Sequence, residues 1–217
     1  MRLFSRLASF IALWLFRREW QEMRLRLKKI YHSHLNNIHD RPTVLAQQLL
    51  ISGEDHRFFS HGGIDLIAIC RALWRGIVLR QREGASTIEM QVVRVVSGRF
   101  ERTLRRKIHE IALATLVTCE IPKEFLPAVY LEIGYFGWRM NGFEAACRRL
   151  GVSADALTSD ETARLVARLK YPQPRVTGSE RWHQINARGR HLLRLHSAHK
   201  HKHTYKNLMM ESRYESI

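Results

Sequence analysis

Apolar residues recur at three- and four-residue spacing along most of this chain. Leu66, Ile69, Cys70, Leu73, Trp74, Ile77 and Val78 form one stripe, headed by Asp65, a good N-cap residue. Leu104, Ile108, Ile111, Thr115 and Thr118 or Cys119 form a second, which Ile121-Pro122 ends. Pro122-Lys123-Glu124 restarts a helix with proline in its first turn, running through Phe125 and Val129. Ser159-Asp160-Glu161 heads residues 162–169, and Tyr171-Pro172-Gln173-Pro174 breaks that run. Long runs of strand alternation and internal repeats are missing, so the predicted fold is mainly α.

The apolar N-terminus is short. Residues 8–16 are nine in number, and even 3–16 contain Arg6, whereas a membrane span needs about 20 apolar residues. Arg17-Arg18-Glu19-Trp20 follows, with no small-residue cleavage site. The segment reads as an interfacial helix or short anchor, with a plain soluble helix as the alternative. Composition adds a sign: 36 Lys and Arg against 20 Asp and Glu give a formal charge of +16 over 217 residues. Eleven Lys and Arg between positions 164 and 206 face Glu180 alone. An anionic partner is implied: nucleic acid, an acidic membrane or a phosphorylated substrate. No nucleic-acid recognition motif is present, so nucleic acid is not expected. Cys70, Cys119 and Cys147 read as buried free thiols. His191, His196, His199, His201 and His203 define no closed metal site. The expected organisation is a membrane-associating segment (1–40), a central domain (41–195) and a basic His-rich tail (196–217).

Three polar segments carry the candidate chemistry. The first holds Glu54, Asp55, Phe58, Phe59, His61, Gly62 and Gly63; the second Gly84, Ser86, Thr87, Gln91 and Arg94; the third Arg106, Lys107 and Glu110. Two separated carboxylates with cations and hydroxyls suit acid/base work on a phosphate-linked sugar. If residues 103–119 form one helix, Arg106 and Glu110 share a face at i,i+4.

In this order the segments resemble the family 51 glycosyltransferases, the peptidoglycan polymerases, and especially the monofunctional biosynthetic transglycosylases. Glu54, Asp55, Phe58, His61 and Gly63 fit the pattern E-D-x-x-F-x-x-H-x-G, and Arg106, Lys107 and Glu110 fit R-K-x-x-E. The resemblance covers about residues 45–195. It implies a lysozyme-like helical lobe with a smaller membrane-facing lobe, and an inverting enzyme that polymerises lipid-linked disaccharide-pentapeptide with release of polyprenyl pyrophosphate. Glu54 is then the general base, desolvated by Phe58 and Phe59. Arg94, Arg106 and Lys107 bind the pyrophosphate. Glu110, the second catalytic carboxylate, orients Arg106, holds a divalent ion or polarises the substrate. Ser86, Thr87 and Gln91 offer hydrogen bonds to substrate, and His61 steadies the loop. Asp55 serves the site or positions Arg57.

No protein metal site is assigned; a divalent cation such as Mg at the pyrophosphate is the one implied cofactor. The implied partners are the lipid-linked peptidoglycan precursor, the membrane surface and other cell-wall synthesis proteins. The implied location is the periplasmic face of a bacterial inner membrane. Glu89, Met90 and Glu132 depart from the family pattern, and the two acids weaken anionic substrate binding if they face the cleft. The alternative is a catalytically impaired relative that binds substrate or serves as a cell-wall assembly partner.

Overall fold

Short polar side chains set the helix starts. Thr43, Asp65, Thr87, Thr103 and Thr158 each accept a hydrogen bond from a first-turn backbone N–H that has no carbonyl partner inside its helix. The computed structural model describes residues 10, 12–36, 41–80, 84–202, 204–205 and 207–208. Its main helices are α1 (Arg17–Asn36), α2 (Val44–Glu54), α3 (Leu66–Val78), α4 (Ile88–Ser97) and α5 (Leu104–Val117). After them come α6 (Leu126–Ile133), α7 (Phe143–Leu150), α8 (Ser159–Ala167) and α9 (Ser179–Lys200). Strands β1 (Tyr135–Gly137) and β2 (Met140–Asn141) pair as one antiparallel hairpin between α6 and α7. The chain is mainly α, as its periodicity predicts.

The described residues divide into two units, one from 1–30 and 57–123, the other from 31–56 and 124–217. In the first, α4 packs on α5. Ile88, Val92, Val93 and Val96 of α4 are buried, as are Leu113, Ala114, Leu116 and Val117 of α5 and, between elements, Phe58 and Ile121. Trp20, Met23 and Leu27 bury one stripe of α1. Gly63, at φ 97°, lies so close to α5 that a Cβ would strike the Ala114 carbonyl. The loop carrying Phe58 and His61 therefore rests on helix backbone. α3 differs: none of its residues is buried, and Trp74 and Ile77 are 64% and 79% exposed. Its apolar stripe is real and stands open.

In the second unit α2 packs against α6, α8 and α9, and α9 packs on α8. Leu49, Leu50 and Ile51 of α2 are buried with Leu126, Val129 and Leu131 of α6. Leu165 and Val166 of α8 and Ile185 and Leu192 of α9 complete that core. A Cβ at Gly53 would collide with the Leu192 side chain, so α9 lies tight against the end of α2.

Several expectations need correction. Cys70 and Cys119 are exposed, and Cys147 alone is buried; Cys70 belongs to the unburied α3 and Cys119 to the turn after α5. Lys123–Phe125 forms a short 3-10 turn, and the proline inside the first turn of α6 is Pro127, not Pro122. Thr158, one residue before Ser159, caps α8, in a capping box with Glu161. Beyond residue 195 the chain continues as ordered helix to Lys200, and Tyr205 hydrogen-bonds to Ser52 through their hydroxyls. Residues 1–9, 11, His203 and the C-terminal 209–217 lie outside the described residues, and with them part of the predicted interfacial segment. Phe10, Leu13, Trp14 and Leu15 are described and exposed. Among the described residues, no helix is long and apolar enough to cross a membrane.

Candidate active site

Arg106 and Lys107 stand in the first turn of α5, four and three residues ahead of Glu110, so both reach its carboxylate. Arg94 comes across from α4. Its Nε donates to Glu110 Oε1 at 2.6 Å and its Nη2 to Oε2 at 3.2 Å. Arg106 Nη1 also donates to Oε1, and Lys107 Nζ lies 3.6 Å from Oε2. Lys107 further donates to Ser86 Oγ at 2.8 Å and touches the Met90 sulfur at 3.4 Å. The structure thus brings together Ser86, Arg94, Arg106, Lys107 and Glu110.

The Glu110 side chain is 1% exposed. Burial pushes its carboxyl up. The Arg94 hydrogen bond and charge, then Lys107 and Arg106, outweigh burial and hold it below the usual carboxylate range. Burial, opposed by Glu110 and aided by Arg94 and Arg106, brings the Lys107 ammonium down. Three cations against one ionised carboxylate leave a positive surplus that suits an anion. A divalent cation does not fit at Glu110, because three positive charges already engage its oxygens.

The loop before α3 is tied down by different partners. Arg57 Nε donates to Asp65 Oδ2 at 2.9 Å. Burial raises the Asp65 carboxyl, and the Ala68 N–H with the Arg57 charge brings it below the usual range. Asp55 is buried at the end of α2, its N–H donating to the Ile51 carbonyl. The Phe58 ring is buried edge-on to Phe59 and His61, with Lys123 Nζ 4.4 Å from its centroid. Lys123 also donates to the His61 carbonyl at 2.5 Å and to Glu89 Oε1 at 2.7 Å. Glu89 is fully buried, and the departure from the family pattern carries its own counter-charge. Glu132, on α6, is within hydrogen-bonding distance of His34 Nδ1, at 2.6 Å. Neither acid stands without a partner. The Thr87 hydroxyl donates to the Gly63 carbonyl at 2.7 Å and accepts from the Met90 N–H. It ties the loop to α4 rather than presenting itself to a ligand. Gln91 is buried on the same helix.

Glu54 ends α2 in the second unit. Arg188 Nη2 of α9 donates to the Gly53 carbonyl at 2.8 Å and to Glu54 Oε1 at 3.0 Å. The Glu54 side chain is 25% exposed, within reach of solvent. Sequence reasoning missed Lys123 and the contact from Arg188. Lys123 lies 34 residues from Glu89 and Arg188 134 from Glu54, so no local periodicity pairs them.

A mainly helical protein with a buried carboxylate held by three cations in one unit and a partly exposed carboxylate in the other is what these features define. The chain belongs to the transglycosylase family, whose model matches residues 22–196. It is 34% identical over 140 residues to a biosynthetic peptidoglycan transglycosylase of Rhizobium meliloti, covering 64% of this chain and 59% of that protein. It is 35% identical over 140 residues to penicillin-binding protein 1A of Rickettsia felis, covering 62% of this chain and 18% of that protein. With penicillin-binding protein 1A of Escherichia coli it shares 37% identity over 127 residues, 56% of this chain and 15% of that one. The chain thus spans less than two thirds of the length of each of these relatives.

Proposed function

We propose that this chain is an inverting peptidoglycan glycosyltransferase that joins lipid-linked disaccharide-pentapeptide units and releases polyprenyl pyrophosphate. The ring of Arg94, Arg106 and Lys107 around Glu110 carries this reading. Negative charge grows on the leaving pyrophosphate as the anomeric C–O bond breaks, and fixed cations stabilise it without reorganising. The two arginines can each grip a pair of phosphate oxygens. Glu110 is a positioning residue that keeps the three cations together. Glu54 is the general base: it takes the acceptor hydroxyl proton as that oxygen attacks the anomeric carbon from the face opposite the leaving group. Arg188 fixes its rotamer. Ser86 and Gln91 supply hydrogen bonds to the substrate, Asp55 and His61 shape the loop beside it, and any magnesium enters on the pyrophosphate.

The substrate's lipid requires a membrane. The open face of α3, with Trp74, Ile77 and Val78, and the exposed Phe10, Leu13, Trp14 and Leu15 suit burial at a membrane surface. The periplasmic face of the inner membrane, beside other cell-wall synthesis proteins, is the location and company this reading assigns. The ion pair of Glu89 with Lys123 weighs against a lapsed binding protein.

The test is polymerisation of labelled lipid-linked disaccharide-pentapeptide by the full chain in detergent. The protein as it stands should make polymer, and Glu54→Gln should lower the rate by about 10²- to 10⁴-fold, the usual worth of a general base. Substrate binding by the unaltered chain without any polymer would overturn the reading.

A further inference from the structure

The turn joining β1 to β2 holds an arginine where backbone sterics disfavour one. Arg139 has φ 57°, a region that turns ordinarily fill with glycine or asparagine. Its guanidinium stands 4.5 Å from the centroid of the Trp138 ring. Two more guanidiniums reach the same indole from other elements: Arg149, in the last turn of α7, at 4.6 Å, and Arg175, ahead of α9, at 5.4 Å. Backbone bonds fix this convergence. The Trp138 N–H donates to the Gln173 carbonyl at 2.8 Å, and the Gln173 N–H to the Phe136 carbonyl at 3.0 Å. The Gln173 side chain in turn accepts from the buried Arg168 at 2.8 Å.

Among the described residues these charges have no counter-ion. Arg139, Arg149 and Arg175 make no ion pair among the described residues, and the nearby acid on α7, Glu144, is engaged by Arg148 at 3.0 Å. Stacking on an indole satisfies the flat face of a guanidinium and leaves its in-plane N–H groups available. All three positions are arginine and none is lysine. A diffuse negative surface asks only for charge, whereas a discrete carboxylate or phosphate makes use of the two-pronged arginine fork.

We propose that Arg139, Arg149 and Arg175 around Trp138 form a carboxylate-binding platform for the stem peptides of a glycan strand. The occupant rests on the glycosyltransferase reading. A polymer of disaccharide-pentapeptide units carries a free carboxylate on each stem, and a cluster of forks binds such a repeating anion better than a single unit. The platform retains the product strand and so lengthens it.

The test uses the full chain in detergent and three probes. They are purified glycan strands bearing pentapeptides, the same strands with their carboxylates amidated, and phosphatidylglycerol vesicles. Arg139→Gln/Arg149→Gln/Arg175→Gln changes exposed side chains only, and its melting temperature checks the fold. Expected are a loss of strand affinity of about tenfold or more in the triple variant, as removal of charge-assisted hydrogen bonds predicts, and an equal loss on amidation. The initial rate on lipid-linked units should be unchanged and the products shorter. Equal binding of native and amidated strands, or undiminished strand binding by the triple variant, would overturn the proposal. So would a loss confined to the vesicles, which would assign the arginines to lipid phosphate. Strand binding is read without turnover, so a failure of polymerisation by the unaltered chain would count against the enzyme reading alone.

Discussion

Glu54 and Glu110 are the same residue type in opposite surroundings. Glu110 is buried, and two arginines and a lysine close on it from α4 and α5. Glu54 is a quarter exposed at the end of α2, with Arg188 on one oxygen. The first is held ionised by its neighbours, so accepting a proton there is costly and its worth lies in arranging cations. The second keeps access to solvent, as the proposed general base must. Neighbours rather than residue type divide the labour.

That division breaks in different ways. The largest effect is the loss of rate in Glu54→Gln, with little change in stability. Glu110→Gln should instead strike the scaffold, leaving three cations without their counter-ion. The cost should be about 2–4 kcal/mol in urea denaturation, below the value for a fully buried pair because Arg94 and Lys107 are near one third exposed. A smaller cost, about 2 kcal/mol, is expected for Lys123→Met, which strands the Glu89 carboxylate in the core. Lys123→Met/Glu89→Gln should recover part of it, and a double-mutant cycle measures the coupling.

The smallest effect is a pH slope. Burial, aided by neighbouring positive charge, lowers the pKa of His109, His196 and His199 below the ordinary histidine value. The unfolded chain then takes up protons first, so stability is full above about pH 6.5 and declines as pH falls toward the folded values. The lowered Glu110 carboxyl has the same sign, but its window lies further into acid. A thermal scan at pH 5.5 should show a lower melting temperature than one at pH 7.5, and His196→Gln should flatten the difference.

Local signals in the sequence carried much of this. Asp65 and Thr103 cap the helices expected at 66–78 and after 103, and the i,i+4 pairing of Arg106 with Glu110 follows from the spacing alone. What was hidden is long-range. Arg94 reaches Glu110 because α4 packs on α5, and Arg188 reaches Glu54 because Gly53 admits α9. The exposure of α3 was also hidden, since periodicity reports a stripe and not what covers it. Glu89 read as a liability until Lys123 stood beside it.

The most direct test of the division separates binding from turnover in Glu54→Gln and Glu110→Gln, using labelled lipid-linked disaccharide-pentapeptide. Glu54→Gln should bind the substrate as the unaltered chain does and turn it over at a small fraction of its rate. Glu110→Gln should lose affinity, because its cations are no longer held in place. Normal binding and turnover by Glu110→Gln, or loss of binding by Glu54→Gln, would contradict the account.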